Sequence, residues 1–508
     1  MKKLIAYDLG TGGIKASLFS ENGTSLADVF IQYDTLFPKE RFVEQRPMDW
    51  WNYVCRATRQ LLDKSESDAS DIACVALSGH SLVAVPLDRK GVLLEDQVPI
   101  WCDMRAEEEA EELFKALDYN QWYLTTGNGD PAECYTITKL MWMKKHQPEL
   151  YSRIHKILGS KDFINYMLTG TMCTDPSYAS GFGVFNLTAW DYEPEFMKAA
   201  DIRPEIFPEI RPSDSIIGKV TKGAAQMTGL AEGTPVACGA VDNTCMALGA
   251  RGLAEGVAYT SLGSSSWIAV TSSKPVVDPA TRPFVFAHAK KGYYTSAVSI
   301  FSAGNSFRWV RDNLCRDFTD DTDTYDAMNR MAESVPAGSN GVLFNPSLAG
   351  GSAQEPSSGL RGGFMGLALH NTREDLVRAS MEGIAMALRC TLDILLTQTS
   401  INGEMLICGG GSKSPVWRQI FADIYNLPVL KTNIDQNAAS LGAAALAANG
   451  CGLWEGYGCI AKIHQTEDIL MPNKEANELY EKLLAVYRKW TRDLAGLSEM
   501  MPQYDSEI

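Results

Sequence analysis

A glycine-rich turn near the start of the chain, Gly10-Thr11-Gly12-Gly13, follows the acidic residue Asp8. Glycines allow backbone amides to approach phosphate oxygens closely, Thr11 adds a hydroxyl group, and a carboxylate such as Asp8 can hold hydrated Mg²⁺. An ordinary β-turn can have the same composition, and the Gly-Lys-Ser/Thr ending of a P-loop is absent. Taken alone, the pattern favours an ordinary turn, with phosphate binding as the alternative.

A second acidic residue, Asp242, follows a strand-like run at 238–241 and precedes a small-residue helix predicted over 244–249. A carboxylate at this point of a fold can face a cleft and accept a proton from a substrate hydroxyl, whose pKa is far above 7. Aspartate is also a favoured residue at a helix N-cap. Position alone favours the N-cap interpretation, and the two roles are compatible.

Three consecutive glycines, Gly409, Gly410 and Gly411, separate a strand-like run at 406–408 from a helix predicted from Pro415 to Ile424. So many glycines permit a planar ligand or a phosphate to approach a helix N-terminus closely. The alternative is a purely structural crossover between the strand and the helix.

The elements around these residues alternate between strands and helices and predict an α/β fold. Residues 4–19 are typical of a hairpin around the glycine turn, and residues 258–270 repeat this plan around Gly263-Ser264-Ser265. The repeat predicts an internal duplication with a boundary near residue 250, giving domains 1–250 and 251–508 and a cleft between them. Other predicted elements are a helix at 49–62, a buried strand at 72–79, a buried helix at 438–448 and a long helix at 474–497.

The composition is that of a soluble globular protein, with 508 residues of which 45% are hydrophobic and 21% charged. A net charge of −16 argues against nucleic-acid or membrane-surface binding, because both need concentrated positive charge. The sequence shows neither a secretory signal nor a membrane-spanning apolar run, so we expect a cytoplasmic protein. The 12 cysteines include no CxxC pair and are interpreted as reduced thiols.

Several motifs together resemble the FGGY family of carbohydrate kinases. Residues 362–367 (Gly-Gly-Phe-Met-Gly-Leu), 375–376 (Asp-Leu) and 379–382 (Ala-Ser-Met-Glu) follow the family's C-terminal signature. Residues 136–143 nearly match the N-terminal signature, and residues 101–105 resemble the family's Trp-x-Asp-x-Arg segment. The resemblance covers about residues 4–448, which is nearly the whole chain.

The resemblance implies two actin-like (ribonuclease H-like) domains that close over ATP and a sugar or polyol, with Mg²⁺ as cofactor. Asp242 would be the general base and would also contact substrate, and Asp8 would lie near the metal. Asp103 would hydrogen-bond substrate hydroxyls. The implied ATP-binding residues are Gly10, Thr11, Gly12, Gly13, Gly263, Ser264, Ser265, Gly304, Arg308, Gly409, Gly410 and Gly411. Similar kinases are often dimers, so the resemblance also admits a homodimer.

Within this family the chain is most similar to xylulokinases, but its sugar-reading loop differs from theirs. Their Ser-Gly-Gln-Met-His-Gly loop is replaced by Ser78-Gly79-His80-Ser81-Leu82-Val83, which puts Ser81 in a sugar-contacting position. His80 is either a further substrate contact or a structural histidine. The predicted substrate is therefore a xylulose-like sugar or polyol, with a different ketose, polyol or aldonic acid as alternatives. A non-catalytic nucleotide-binding switch of the actin-like type is the alternative from another class.

Overall fold

The computed structural model describes residues 2–318, 321–435 and 437–501. These residues form two compact units, each discontinuous along the chain. The first unit comprises the described residues of Met1–Ala254, Thr271–Thr295 and Asn437–His464. The second comprises those of Glu255–Val270, Ser296–Gln436 and Gln465–Ile508. The division near residue 250 stays a prediction about domain organisation.

The strands β1–β24 are, in chain order, Lys3–Leu9, Gly13–Ser20, Ser25–Gln32, Glu44–Gln45, Ile72–Gly79, Val85–Leu87, Val98–Pro99, Lys156–Leu158, Cys173–Thr174, Phe185–Asn186, Asp191–Tyr192, Glu209–Ile210, Ile216–Lys219, Pro235–Ala237, Ala240–Val241, Ala258–Leu262, Ser266–Ser272, Phe284–Ala287, Tyr294–Ile300, Leu343–Asn345, Gly363–Met365, Met405–Cys408, Val429–Thr432 and Thr466–Leu470.

The α-helices α1–α17 are, in chain order, Pro47–Lys64, Glu107–Ala116, Tyr119–Thr126, Thr136–His146, Pro148–Arg153, Ser160–Thr169, Pro176–Ala179, Pro194–Ala199, Lys222–Thr228, Asp242–Gly249, Gly304–Leu314, Asp321–Ser334, Arg373–Leu396, Pro415–Tyr425, Ala438–Gly450, Ile460–Ile463 and Lys474–Met500. The helices predicted at 49–62, 415–424, 438–448 and 474–497 are confirmed within a few residues at each end.

The sheet of the first unit runs β13-β14-β5-β1-β2-β3, and β15 also pairs with β5. The predicted hairpin is confirmed: β1 and β2 are antiparallel, with Leu9 opposite Ile14 beside the glycine turn. The buried strand predicted at 72–79 is β5, which runs parallel to β1 with Leu9 opposite Gly79. β15 is also parallel to β5, with Val241 opposite Gly79. The carboxyl ends of three parallel strands therefore meet at one edge of this sheet.

The sheet of the second unit repeats the same plan. β16 is antiparallel to β17 and parallel to β22, and β22 is parallel to β23. A hairpin with a parallel neighbour on its first strand is thus present in both units, as the predicted duplication requires. Each hairpin has apolar strands because both faces of these central strands are covered.

A close helix pair, α10 and α15, lies in the first unit. A Cβ on Gly442 would lie 1.9 Å from the carbonyl oxygen of Cys245, and a Cβ on Gly249 would lie 1.8 Å from the carbonyl oxygen of Ala438. The alanine-rich α15 is buried along nearly its whole length, because small side chains allow the two backbones to touch. Among the described residues, no helix is both long enough and apolar enough to cross a membrane.

Candidate active site

The glycine turn after β1 is held from three sides within the first unit. Gly10 N donates to the carbonyl oxygen of Gly13 (3.0 Å), which closes the turn. The carbonyl oxygen of Thr11 accepts from the Gln45 amide (2.7 Å), and Thr11 Oγ1 accepts from Trp101 Nε1 (2.8 Å). A Cβ on Gly13 would lie 2.6 Å from a backbone oxygen of β3, so this position requires glycine. The turn is therefore rigid, with Gly12 left exposed to solvent.

Asp8 lies near the carboxyl end of β1, beside this turn. Its Oδ1 accepts a hydrogen bond from Ser78 Oγ at 2.8 Å. Burial raises the pKa of Asp8, while the Ser78 hydrogen bond and the nearby charge of Lys15 act in the opposite direction. The carboxylate is partly exposed. Asp8 thus presents a carboxylate at the edge where the parallel strands end.

Asp242 is the first residue of α10, directly after β15. The N-cap interpretation is wrong, because Val241 occupies the N-cap position and the Asp242 carboxylate accepts from Asn243 N (2.7 Å) instead. Burial and then the charge of Asp8 raise the pKa of Asp242 to about 7, and the Asn243 hydrogen bond only partly offsets them. The side chain is nonetheless partly exposed. A carboxylate with this pKa can take up and release a proton near neutral pH.

His80 and Ser81 follow β5 at the same edge of the sheet. His80 is 1% exposed, its Nδ1 lies 3.1 Å from the carbonyl oxygen of Leu9, and its ring packs edge-on against Trp50. Burial lowers the pKa of His80 to about 4, so the ring is neutral at physiological pH. These contacts are those of a structural histidine, although its Nε2 has no hydrogen-bond partner among the described residues. Ser81 is partly exposed. Contact of either residue with substrate stays a prediction.

Asp103 is 0% exposed and its carboxylate is already fully hydrogen-bonded. Oδ1 accepts from Arg105 Nε (2.8 Å) and from Arg105 N (3.2 Å), and Oδ2 accepts from Arg105 Nη2 (2.8 Å) and from Val43 N (2.6 Å). Arg105 Nη2 also lies 2.5 Å from Glu44 Oε1. A direct contact between Asp103 and a substrate hydroxyl would require part of this network to open. The predicted substrate contact is thus untested, and the observed role of Asp103 is to hold Arg105 and the chain at Val43.

A cavity of about 680 Å³ lies wholly within the second unit. It is lined by six of the residues predicted to bind ATP: Gly263, Ser264, Gly304, Arg308, Gly410 and Gly411. Ser265 and Gly409 directly flank lining residues in the chain. Phe307, Tyr325 and Trp417 add aromatic surface to the walls. Aromatic walls beside polar and charged side chains suit a planar base and a polar sugar.

The start of α11 packs directly on the second hairpin turn. Gly304 N donates to the carbonyl oxygen of Gly263 (2.9 Å), and Ala303 N donates to that of Ser264 (3.1 Å). A Cβ on Gly304 would lie 2.4 Å from the Gly263 carbonyl oxygen, so only glycine fits. The cavity floor is therefore a close backbone-to-backbone contact between α11 and the hairpin turn.

Sequence reasoning missed residues in both units. Lys15, the third residue of β2, is close enough to Asp8 to influence its pKa, and it donates to Asn437 Oδ1. Trp101 contacts Thr11, and Tyr325 and Lys413 line the cavity of the second unit. Lys413 was within reach of prediction, because it directly follows the triple glycine. Nothing in the sequence around Tyr325 indicates a role in a site, because it stands in the largely polar helix α12 with no motif beside it.

Comparison with known proteins agrees with this arrangement. The family description "FGGY family of carbohydrate kinases, N-terminal domain" matches residues 4–249, and the corresponding C-terminal domain matches residues 258–451. The two matches cover most of the chain. The chain therefore belongs to the FGGY family of carbohydrate kinases, and it is a kinase that uses ATP to phosphorylate a small sugar-like molecule.

Similar proteins within the family differ in the substrate that their names state. The chain is 29% identical over 501 residues to a xylulose kinase from Bacillus subtilis (strain 168), a match that spans 97% of this chain and 98% of that protein. The solved structure of a ligand-bound xylulose kinase from Lactobacillus acidophilus superposes with a TM-score of 0.90 at 26% identity, covering 98% of this chain and all of that one. A gluconate kinase from the same organism gives the same TM-score and identity, covering 98% and 99%.

The structural neighbours also confirm the predicted fold class. Each is a carbohydrate kinase built from two actin-like domains, and each unit of this chain carries the hairpin-plus-parallel-strand sheet described above. The catalytic and ligand-binding roles assigned to individual residues stay predictions.

Proposed function

We propose that this enzyme transfers the γ-phosphoryl group of ATP to a hydroxyl of an uncharged, xylulose-like sugar or polyol, with Asp242 as general base. The position of Asp242 carries the proposal, because it follows β15 directly at the edge where the parallel strands end. Its pKa, raised to about 7 by burial and then by Asp8, suits that role. A general base works best when its pKa lies near the operating pH, since it is then deprotonated yet still basic enough to accept the hydroxyl proton. Its place at the strand-end edge beside Asp8 and the glycine turn supports the same role.

ATP binding is proposed at the cavity of the second unit, which the hairpin turn at Gly263 and Ser264 helps to line. Phe307, Tyr325 and Trp417 in its walls would provide apolar surface beside the adenine. Arg308 and Lys413 provide positive charge at the same cavity. The turn at Gly10–Gly13 would hold phosphate oxygens through backbone amides, as proposed above.

The carboxylate of Asp8 at the end of β1 fits a hydrated Mg²⁺. This ion is typically bound by one or two carboxylates with water and substrate phosphates completing its shell. Asp8 is partly exposed, and burial raises its pKa. Asp8 would hold the ion, which when bound neutralises phosphate charge. Among the described residues, no cluster of three or more metal-ligating side chains is present, in keeping with a mostly hydrated ion.

The charges at this edge favour an uncharged substrate over an aldonic acid. Asp8 and Asp242 contribute negative charge, and the cation Lys15 lies close enough to Asp8 to counter the rise in its pKa. Arg105 is already engaged by Asp103 and Glu44, and the buried Lys139 donates to the carbonyl oxygens of Leu82 and Ile100. A substrate carboxylate near Asp242 would therefore meet repulsion, while sugar hydroxyls would not.

ADP release in the presence of candidate substrates tests the proposal. The panel contains D-xylulose and other ketoses, xylitol and glycerol as polyols, and gluconate as an aldonic acid, each with Mg-ATP. We expect the highest kcat/KM with an uncharged compound. Turnover with gluconate alone would contradict the proposed substrate class but leave the base assignment standing.

Asp242→Asn tests the base itself. The amide keeps the shape of the side chain but cannot accept the proton, so we expect kcat to fall about 10²- to 10⁴-fold. Binding of a fluorescent ATP analogue should change less than about threefold, because the nucleotide cavity lies in the second unit. Asp68→Asn makes the same change at an exposed carboxylate of the first unit and should leave kcat unaltered. Normal turnover by Asp242→Asn would remove the residue from this role.

A further inference from the structure

The backbone just before Asp242 is held by a buried series of side chains from another part of the first unit. Val241 N donates to Ser177 Oγ (3.0 Å), and Ser177 Oγ donates to Asp175 Oδ2 (2.6 Å). Asp175 Oδ1 lies 3.0 Å from Lys161 Nζ. These three side chains, which we call the brace, are all 0% exposed. The brace thus runs from α6 through the start of α7 to the residue preceding Asp242.

The other end of the turn before Asp242 is held by the same region. The carbonyl oxygen of Cys238 accepts from Asn165 Nδ2 (2.7 Å) and from Lys161 Nζ (3.3 Å). Gly239 has a φ of +76°, and a Cβ there would lie 2.1 Å from the carbonyl oxygen of Leu77. Lys161 therefore acts on both sides of a turn whose backbone conformation only glycine accepts readily. The path of the chain into Asp242 is determined at two points three residues apart.

The composition of the brace is costly for stability alone. A fully buried lysine contacts two fully buried carboxylates, Asp162 at 2.5 Å and Asp175 at 3.0 Å. Well-packed apolar residues would usually stabilise such an interior as well or better, because burying charges has a large desolvation cost. Directional hydrogen bonds nevertheless determine a backbone position in a way that apolar packing does not.

We propose that Ser177, supported by Asp175 and Lys161, is a positioning residue for catalysis that keeps Asp242 in line with the substrate hydroxyl. The inference rests on the proposed role of Asp242 as the base. Ser177 Oγ accepts a hydrogen bond from Val241 N and donates its single hydrogen to Asp175 Oδ2. The bond to Asp175 therefore leaves the oxygen lone pairs of Ser177 free to accept from the backbone just before Asp242. A displacement of a reacting group by about 1 Å is enough to slow a reaction about 100-fold.

Ser177→Ala tests the brace, with Ser213→Ala as a matched control. Ser213 is 1% exposed and its Oγ donates to the same Asp175 oxygen at 2.8 Å, but this hydroxyl is off the path to Val241. We expect Ser177→Ala to lower kcat about 10- to 100-fold while both KM values stay within about threefold. Ser213→Ala should keep kcat within about threefold of wild type. Rates are measured with the most active compound of the substrate panel and expressed per ATP-analogue-binding site.

Two further variants separate positioning from folding. Ser177→Thr retains the hydroxyl and should recover most of the lost kcat. If Ser177→Ala does not fold, Ser177→Cys replaces it, because the thiol, although larger than the hydroxyl, fills the site and is a weaker acceptor for Val241 N, so it should also lower kcat. Equal kcat values for the Ser177 and Ser213 variants would overturn the brace. If Asp242→Asn also keeps its turnover, the proposed function fails as well; if Asp242→Asn is inactive, only the brace is refuted.

Discussion

At the scale of single residues, the two carboxylates at the strand ends oppose each other's ionisation. Asp8 is the second cause of the raised pKa of Asp242, after burial. Such a pair stores free energy in the folded protein, since both groups would ionise more easily in the unfolded chain. Residues that are costly to the fold in this way are typical of functional sites.

This cost predicts a pH-dependent stabilisation by Asp242→Asn. The folded pKa of about 7 lies above the ordinary 3.8, so ionisation of Asp242 opposes folding. The penalty is absent below the ordinary value, grows as the pH rises, and is complete above about 7. Discounted for partial exposure, we expect the variant to be more stable than wild type by about 1 to 2 kcal/mol at pH 8 and by almost nothing at pH 4. Thermal unfolding between these pH values measures the difference.

Asp68→Asn is the control for this pH series. The Ser70 side chain and backbone hydrogen bonds lower the pKa of Asp68, so its ionisation favours folding. Its Tm relative to wild type should stay level or fall as the pH rises. A Tm difference for Asp242→Asn that does not change with pH would show that the carboxylate is not strained in the folded protein.

At the scale of secondary structure elements, the contact between α10 and α15 supports the site, because α10 begins with Asp242. Helices that approach this closely need glycine or alanine along the contact. Gly442 and Gly249 provide it, each facing a backbone oxygen of the other helix. The contact therefore determines where the first turn of α10 lies, as the brace does for the strand before it.

Gly442→Ala should damage both stability and activity. The added Cβ would lie 1.9 Å from the Cys245 carbonyl oxygen, so α10 and α15 must separate. We expect a loss of about 3 kcal/mol or more in the free energy of unfolding, together with reduced kcat in the protein that still folds. Urea unfolding at pH 7 measures the loss.

Gly223→Ala in α9 is the corresponding control. A Cβ at Gly223 would have no neighbour within 4 Å in the described part of the chain, and the residue lies in a helix of the same unit. Alanine should leave stability unchanged or raise it by up to about 1 kcal/mol. Similar unfolding midpoints for the two alanine variants would refute the tight contact between α10 and α15.

At the scale of the whole molecule, the two compact units carry different parts of the proposed chemistry. The first unit contains Asp8, Asp242 and the loop at His80–Ser81, and the second contains the nucleotide cavity. Nucleotide and sugar should thus protect different segments of the chain. Each ligand stabilises the segments that it contacts by mass action.

Hydrogen exchange with each ligand alone should show this division. A non-hydrolysable ATP analogue should slow exchange at 262–266, 304–308 and 410–417, which line the cavity. The ATP analogue with Mg²⁺ should also slow exchange at 8–13, the proposed phosphate turn and metal ligand. The best sugar or polyol should slow exchange at 78–82 and 240–244. Helix α8, Pro194–Ala199, serves as an internal control that neither ligand should protect. Protection of 262–266 and 410–417 by the sugar instead of the nucleotide would contradict the assignment of the cavity.

The sequence by itself determined the family, the repeated hairpin and most of the principal helices. Each depends on local information: apolar periodicity for β5 and α17, glycine-specific turns at Gly13 and Gly304, and short signatures such as residues 362–367. Each of these patterns lies within a short stretch of sequence, so it can be recognised without knowing which residues pack against it. The position of Asp242 after a strand was also readable in this way.

Only the tertiary structure decided what surrounds these residues. The pKa of Asp242 depends on burial and then on Asp8, which is distant in sequence, and the hydrogen bonding of Asp103 is completed by the distant Val43. The brace joins Lys161 to Val241 across many residues of chain. Burial and charge proximity arise from contacts between distant segments, whereas local patterns record only neighbours. The sequence therefore predicts Asp242 as the base, while the packing of the first unit sets the proton affinity and the position of its carboxylate.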